Sequence, residues 1–437
     1  MPQAAAALHA PRSSDRFLHI VPLAFITYSL AFLDRVNYGY AAAAGMSETL
    51  HLSKNVAALL PSLFFPGYCL LQIPAAHWAA KRNLKWLVFW ALILWGIFSS
   101  LTGILRSVPA LIAVRLALGA VEGVVLPAML VFLTRWFTKP ERSRANALLL
   151  LANPLTMMFV SVVSGLLIAH FDVHPVWGLK GWQMMFIIEG MPSIIWAGIW
   201  LAAADERPAE ARWLTADDAD AIQNVLDAEQ RQMTRISSYW AALADRRVIL
   251  WSLMYLSFSA CGYGMMFWMP TIIKAATARG IAATGLLSAI PYAVGILPML
   301  TVSYLSDRTL KRKPFAVASM FVASVGYLIA FAGGEQHFYL TFAGMIIIPS
   351  CTYTLVSVLW AWMADTLPRN VVGESMALVN SAGSAGGWLG SYFFGLIIGK
   401  FGTRPGFVAL AGMFAIAGVL AVMVKSASVR PLRDPGS

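Results

Sequence analysis

Four charged residues stand inside long apolar stretches of the chain, where a charge is costly and therefore suggests a function. Asp34 and Arg35 are neighbours in the string LDRVNYGYA, and Arg115 and Glu122 lie in RLALGAVEGVVLPAM. The seven-residue spacing of the second pair is about two helical turns, so both residues would share one helix face. A fifth charge, Glu189, lies in the apolar string FIIEGMPSIIW.

An arginine and a carboxylic acid that are buried together can bind an anion and a proton. A carboxyl group near a cation in a low-dielectric site can change its protonation state within the physiological pH range. Arginine stays charged and presents a planar fork that matches a carboxylate. The pattern predicts proton-coupled uptake of an organic anion, with the proton as coupling ion and no cofactor. The alternative, most open for Glu189, is that these charges pair and merely hold helices together.

The elements that would carry these residues are transmembrane helices. The chain has 437 residues, of which 59% are apolar and 12% are charged, whereas a soluble domain carries about 25% charged residues. Long apolar runs without alternation favour helices over membrane strands. Twelve runs of helical length occur, at 17–45, 55–79, 84–104, 108–134, 145–170, 182–203, 248–273, 284–305, 314–333, 338–364, 371–399 and 405–424.

The longest polar segment divides the twelve runs six and six. The predicted fold is an all-α membrane protein with twelve transmembrane helices in two pseudo-symmetric six-helix bundles. Residues 217–229 have the pattern of an amphipathic helix on the membrane surface, although a solvated linker fits equally well. The expected divisions are a cytoplasmic tail (1–16), a first bundle (17–203), a central cytoplasmic loop (204–247), a second bundle (248–424) and a second cytoplasmic tail (425–437).

The positive charges indicate the orientation. With both termini cytoplasmic, seventeen Lys and Arg residues fall in the short cytoplasmic segments and seven on the opposite side, as the positive-inside rule requires. The net charge of +11 is then explained by topology and by contact with an anionic lipid bilayer, which argues against a nucleic-acid partner. We expect a multi-pass protein of the bacterial inner membrane, and the polar first sixteen residues lack the apolar core of a signal peptide.

The two halves carry a weak repeat with an offset of 227 residues. The string WAAKRNLK at 78–85 corresponds to LSDRTLKR at 305–312, and Asn153 corresponds to Asn380. The four charged residues of the first half map onto uncharged positions of the second. Anion binding and proton coupling are therefore expected in the first half, and hydrogen bonds and aromatic walls in the second.

Glycine and proline inside the apolar runs predict local features. The prolines are expected to break helices near a cavity; they are Pro66, Pro127, Pro154 and Pro270. The glycines of NSAGSAGGWLG are expected to let helices approach one another; they are Gly383, Gly386, Gly387 and Gly390.

Motif searches exclude several other chemistries. The three cysteines lie in apolar runs without metal-ligand spacing, so neither a disulfide framework nor a metal site is expected. The chain has no Walker lysine motif, no HExxH and no GxSxG, which argues against ATP hydrolysis and hydrolytic enzymes.

Several strings together resemble the major facilitator superfamily, in its anion:cation symporter branch. They are LDRVNYGYA, RLALGAVEGVVLPAMLVFLTRWF, GWQMMFIIEGMPS, CGYGMMFWMPTIIK and YLSDRTLKRK, and they lie in both halves. Members of this branch take up galactonate and other sugar acids, tartrate, phthalate or hydroxyphenylacetate, generally with protons. The resemblance implies a monomer that imports a small organic anion while its two bundles rock around a central site.

The resemblance also implies roles for individual residues. Arg35 corresponds to the arginine that binds the substrate carboxylate. Asp34 and Glu122 correspond to the protonatable pair, and Arg115 to the partner that tunes them. Five further positions correspond to substrate contacts, namely Tyr68, Asn153, Ser357, Trp360 and Asn380.

One position departs from the family pattern. The first cytoplasmic loop of such transporters carries an acid before its basic run, but Ala80 stands there in this chain. The acid survives at Asp307, followed by Arg308, in the second copy. Because the acid is thought to latch one conformation by pairing across the halves, its loss puts the symmetry of the gate in doubt.

The sequence leaves alternatives for direction and substrate. An exporter or anion exchanger could share this fold, and a receptor that binds without translocating is a third class. The polar residues Asn153, Asn380 and Ser357 favour the hydroxyl groups of a sugar acid or hydroxy acid. The abundant aromatic residues leave an aromatic acid open.

Overall fold

The computed structural model describes residues 13–81, 83–231, 245–277, 279–366 and 372–424. These residues are helical apart from short connections and contain no strand, which confirms the predicted all-α class. The two predicted tails and the end of the central loop lie largely outside these ranges. The helices of the described residues, α1 to α16 in chain order, are Ser13–Ala43, Met46–Thr49, Lys54–Ser62, Phe64–Lys81, Leu84–Ile104, Val108–Glu122, Val125–Thr134, Lys139–Val173, Gly181–Ala203, Ala216–Arg231, Arg246–Thr277, Ile281–Thr309, Arg312–Gly333, Phe338–Thr366, Val372–Phe401 and Thr403–Met423.

Eleven stretches of the described residues are long and apolar enough to cross a membrane, against twelve predicted. The twelfth is α15, a helix of 30 residues that corresponds to the predicted run 371–399. Its seven glycines, four serines and one asparagine lower its hydropathy, because they add little apolar surface. Such a composition suits a helix packed inside a bundle, where small residues let neighbours approach.

The glycine cluster of α15 packs against α11, as predicted. A Cβ atom on Gly386 would overlap with the carbonyl oxygen of Leu256, and one on Gly390 would overlap with that of Ala260. Only glycine permits this close approach of two helix backbones.

Two of the four predicted helix breaks are present. The second apolar run is interrupted between α3 and α4, and the fourth between α6 and α7. Pro66 and Pro127 follow in the first turns of α4 and α7, where a missing N–H is tolerated. The prediction is wrong for Pro154 and Pro270, which lie inside the continuous helices α8 and α11. Neighbouring helices in a membrane bundle can accommodate proline without a break.

The two halves meet at one end of the bundle. We call the end with Arg16 and the central loop the loop end, and the opposite end the far end. At the far end, Lys274 Nζ donates to the carbonyl oxygen of Ala43 at 2.7 Å, joining α11 to α1. A Cβ on Gly165 of α8 would lie 3.0 Å from Gly285 Cα of α12. At the loop end, the hydrogen bonds and ion pairs of the described ranges stay within one half or join the first half to the central loop.

The central loop is fastened to the first half. Trp213 stacks between His19 and Trp136, with ring centroids 4.3 and 5.5 Å away. The predicted amphipathic helix is present as α10, and its apolar residues Ile222 and Leu226 are buried within the protein. The apolar face of α10 is therefore covered by this chain rather than exposed as on a free linker.

Candidate functional site

An ion pair lies at the centre of the candidate site. Arg35 of α1 donates through Nη2 to Oε1 of Glu122, the last residue of α6. Both side chains are buried, with relative exposures of 6% and 1%. Three residues before Glu122, a Cβ on Gly119 would overlap with the carbonyl oxygen of Phe64 on α4. The close packing of α6 on α4 helps to set the position from which Glu122 reaches α1.

Four aromatic rings surround the guanidinium group of Arg35. Its central carbon lies 4.5 Å from the ring centroid of Phe32 and 4.7 Å from that of Phe64. The rings of Tyr68 and Tyr263 follow at 5.3 and 5.8 Å. Aromatic faces attract a cation and so offset part of the hydration that Arg35 loses on burial.

The second half reaches Arg35 through a tyrosine. Arg35 Nη1 donates to Oη of Tyr263, on α11, at 3.0 Å. Tyr255, eight residues earlier on α11, packs edge-on against Trp360 of α14, with ring centroids 5.3 Å apart. Sequence reasoning does not find Tyr255. It also misses Tyr28, a buried residue two turns before Arg35 that interacts electrostatically with it. Helical spacing from Tyr263 and from Arg35 was a usable signal for the two tyrosines.

Asp34 lies in a separate buried pocket of the first half. Its Oδ1 accepts hydrogen bonds from Ser99 Oγ and from Asn37 Nδ2, the latter at 3.0 Å. Within the described part of the chain, Asp34 Oδ2 has no hydrogen-bond partner, and no basic side chain lies within 4.0 Å of the carboxylate. Asp34 and Glu122, predicted as one protonatable pair, therefore occupy different surroundings.

Arg115 is buried near both acids and forms no ion pair with any of the described residues. Its guanidinium carbon lies 4.3 Å from the ring centroid of Tyr38 and 5.7 Å from that of Phe186. Its charge interacts with both Asp34 and Glu122. Its Nε and Nη2 have no hydrogen-bond partner among the described residues. The arrangement allows Arg115 to act on the two acids through its field.

Three of the predicted substrate contacts lie outside this cluster. Asn153 on α8, Ser357 on α14 and Asn380 on α15 are half-buried. Ser357 Oγ donates to the carbonyl oxygen of Thr354 in its own helix at 2.8 Å. None of the three makes a hydrogen bond to Arg35 in the described structure, whereas Tyr68 packs directly against it.

The predicted gating residues lie at the loop end. Asp307 and Arg308 are exposed near the end of α12. Asp307 Oδ1 lies 3.9 Å from Arg312 Nη2, in the same half. In this conformation the ion pair of the loop acid with a described residue therefore lies within the second half. Ala80, where the family resemblance predicts an acid, lies in the last turn of α4.

The helices and the buried site together define a class of protein. Eleven hydrophobic stretches make the chain a multi-pass membrane protein, and a charged site lies where its halves meet, as in secondary transporters. The chain belongs to the Major Facilitator Superfamily, whose family model matches residues 24–390 and 274–436. The predicted family is confirmed, and the protein is a transporter rather than an enzyme.

Two relatives illustrate the range of the family around this chain. A protein of Agrobacterium vitis named "Putative tartrate transporter" is 31% identical over 411 residues, covering 94% of this chain and 90% of the relative. A quinolone resistance transporter of Acinetobacter baumannii is 26% identical over 383 residues, covering 86% of each chain. Both matches extend over both halves.

A solved structure shares the fold. The inward open conformation of the xylose transporter XylE from E. coli superposes with a TM-score of 0.77, covering 95% of this chain and 98% of that chain. Its sequence identity is 13%, so the likeness concerns architecture alone. It confirms the predicted fold of two helical bundles.

Proposed function

We propose that this protein is a proton-coupled symporter that imports a small organic anion, such as a sugar acid or hydroxy acid, across the bacterial inner membrane. The buried ion pair of Arg35 and Glu122 is the observation that carries the proposal. The relative from Agrobacterium vitis is named for tartrate, which supports an organic anion. The protein would act as a monomer in the lipid bilayer, with protons as coupling ions and no other cofactor.

Anion and proton binding are linked through the charge of Arg35. While Glu122 is ionised it neutralises the guanidinium group, and a second carboxylate would add uncompensated negative charge to a buried site. A proton on Glu122 removes this competitor and leaves the planar fork of Arg35 to a substrate carboxylate. The site therefore favours binding both partners together, which is the requirement for symport.

Asp34 is the second proton site in this proposal. No basic side chain of the described residues lies within 4.0 Å of it, so its negative charge is compensated mainly by the hydrogen bonds from Ser99 and Asn37. Protonation would remove the cost of burying that charge. Arg115, whose charge reaches both Asp34 and Glu122, would couple the two acids.

The remaining wall favours a substrate with hydroxyl groups. The half-buried Asn153, Asn380 and Ser357 supply polar groups that can meet the hydroxyls of a sugar acid. Trp360 and Tyr255, whose rings pack against each other, would supply an apolar wall. An aromatic acid would contact this wall more than the polar groups. It is the alternative substrate for the same proposed function.

The contacts between the halves support alternating access. The halves touch at the far end through α1 with α11 and α8 with α12. With both termini cytoplasmic, this conformation is closed to the outside and would release anion and protons to the cytoplasm. Uptake then requires the far-end contacts to part and the loop end to close.

The test is transport by purified protein in liposomes with an imposed pH gradient. Labelled tartrate, a sugar acid and an aromatic acid serve as separate probes. We expect one of the first two to accumulate when the outside is acidic. Glu122→Gln should still exchange labelled for unlabelled anion but should not accumulate it. Glu335 is an exposed acid outside the site, so the control variant Glu335→Gln should behave as wild type. Proton-driven accumulation by Glu122→Gln would contradict the coupling role.

An exporter is the second candidate, because one relative is named a quinolone resistance transporter. The same liposomes separate the two functions. Export would appear as proton-driven movement of a quinolone against its gradient, with no stimulation of anion uptake by acid outside. That result would replace the proposed function.

A further inference from the structure

Glu189 is a buried acid that the proposed coupling does not use. It lies on α9 with 3% of its surface exposed. Among the described residues no Lys, Arg or His nitrogen lies within 4.0 Å of it, in contrast to Glu122, which pairs with Arg35. An ionised carboxylate without a cation is very unfavourable in such a site. Burial therefore favours a neutral, proton-bearing Glu189 in this conformation.

The unpartnered acceptor atoms around Glu189 also favour a proton. Ser164 Oγ donates to Glu189 Oε1 at 2.6 Å. Asn37, fully buried on α1, lies beside Glu189 and donates through Nδ2 to Asp34 Oδ1 at 3.0 Å. Glu189 Oε2 and Asn37 Oδ1 are both acceptors without a partner in the described structure. A proton on Oε2 would give Glu189 a hydrogen-bond donor beside an amide oxygen that lacks one, so that Asp34 Oδ2 would be the acceptor of this group left without a partner.

The helices packed against α9 leave few charged groups near this acid. They are α1, α5 and α8. Among the described residues, the titratable groups that interact electrostatically with Glu189 are Asp34 and Tyr40, both on α1. The nearest group of α8 is the uncharged Ser164 hydroxyl, and α5 has its charged residue, Lys85, at the opposite, loop end. Asp34 is therefore the charged group to which the protonation of Glu189 is tied.

Glu189 lies directly behind a contact between the two halves. Its partner Ser164 precedes Gly165, which packs on Gly285 of α12 at the far end. Tyr40, which also faces Glu189, lies beside Ser288 of α12. Parting of α8 from α12 would therefore change the surroundings of Glu189 in the same movement that opens the far end.

We propose that Glu189 is a third proton-binding carboxyl of this transporter and a positioning residue that acts on Asp34 through Asn37. The site takes a proton and not the organic anion, because its unpartnered atoms are acceptors and its neighbour Asp34 is an acid. The inference deepens the proposed function, on which it rests. It assigns to the first half a proton site next to the far-end contact, in addition to the two acids near the centre.

Infrared difference spectroscopy on the purified full-length protein tests this directly. Protonated carboxyl groups absorb at a distinct carbonyl stretch, and spectra are recorded from acid to alkaline pH without any anion. Glu189→Gln should lose one protonated-carboxyl band and should shift the pH midpoint of the band that Asp34→Asn removes. An unchanged set of bands, or an unshifted Asp34 midpoint, would overturn the proposal.

Ser164→Ala is the matched variant that keeps the carboxyl group and removes its hydrogen-bond donor. It should retain the Glu189 band and change its frequency, and it keeps the test open if Glu189→Gln fails to fold. No frequency change in any carboxyl band would contradict the assignment. Recording the spectra with and without sodium adds a further control, because loss of the band on adding sodium would mean that the acids bind a metal cation instead.

The two proposals fail in different ways. If Glu122→Gln abolishes proton-driven accumulation and Glu189→Gln leaves the spectra unchanged, the symport function stands and the Glu189 inference falls. If the wild-type protein does not accumulate anion in response to a pH gradient, the proposed symport function is wrong. This conclusion does not depend on the infrared band of Glu189.

Discussion

The two halves of this protein share a helical plan but differ in what they bury. Within the described residues, every buried charged side chain lies on α1, α6 or α9, which are helices of the first half; these are Arg16, Asp34, Arg35, Arg115, Glu122 and Glu189. The second half contributes rings and hydroxyl groups at the same depth, with Tyr263 as its contact to Arg35. A duplicated fold can thus concentrate its ion chemistry in one copy while the other copy supplies the shape of the cavity.

The difference follows from the cost of burying charge. A buried acid is stabilised by a cation, by hydrogen-bond donors or by a proton, and an ion pair within one half is not broken when the halves move. Arg35 and Glu122 both lie in the first half, whereas the bond from Arg35 to Tyr263 crosses between them and is uncharged on the tyrosine side. Movement of the halves therefore breaks weaker interactions than the ion pair.

The largest effect should come from removing the cation of the first half. Arg35→Ala should weaken anion binding by roughly 30-fold to several thousand-fold, because losing one partner of a buried charge pair costs about 2–5 kcal/mol. Binding is measured by calorimetry or thermal shift with the anion found in the liposome screen. The double variant Arg35→Ala, Glu122→Gln avoids leaving an unpaired acid and should show the same loss.

Arg106→Ala is the control for this prediction, since Arg106 is exposed between α5 and α6. It should bind the anion as wild type does. Tight anion binding by Arg35→Ala would show that the anion binds elsewhere and that the first half does not supply the cation of the site.

The next effect concerns the shape of the second half. Gly390→Ala should destabilise the protein by about 1–3 kcal/mol, the usual cost of overpacking, because its Cβ would overlap with the backbone of Ala260. Thermal unfolding in detergent measures it. Gly412→Ala is the matched control, since nothing lies within 4 Å of a Cβ there; equal stability of the two variants would show that α15 and α11 do not depend on close packing.

The charged residues of the first half could be predicted from sequence because their position is improbable without a function. Asp34 and Arg35 stand out in an apolar run by residue type alone. Their pairing could not be predicted in the same way, since Arg35 bonds to Glu122 and not to its neighbour Asp34. The rotation of one helix against another, which decides such a pairing, depends on three-dimensional packing at positions such as Gly119.

The second half was harder to predict because its site residues have common roles in membrane helices. Tyr255 and Trp360 belong to types that also pack and anchor helices, so their types do not mark a site. The partner that buries the apolar face of α10 could not be predicted either, because sequence periodicity indicates an apolar face but not what packs against it. Ile222 and Leu226 are buried by this chain, not by lipid.

A smaller effect should come from the one hydrogen bond that joins Arg35 to the second half. Tyr263→Phe removes the hydroxyl that accepts from Arg35 Nη1 but keeps the ring, so anion affinity should fall by roughly 2- to 10-fold, or about 0.5–1.5 kcal/mol. The affinity assay used for Arg35→Ala measures it. Tyr304→Phe, on an exposed tyrosine of α12, should have no effect. A loss as large as that of Arg35→Ala would show that the second half contributes as much to binding as the first.

The smallest effect should come from the loop acid Asp307 of the second half, which has Ala80 at the corresponding place of the first half. Asp307 is exposed and lies 3.9 Å from Arg312 in the same half, and exposed ion pairs contribute about 0–1 kcal/mol. Asp307→Asn should therefore change the initial rate of anion uptake by less than roughly fivefold, and it should leave anion affinity unchanged because the residue is outside the site. If uptake stops while affinity is kept, Asp307 must form a stronger contact across the halves in the conformation open at the far end, and the second half would then carry essential ion chemistry of its own.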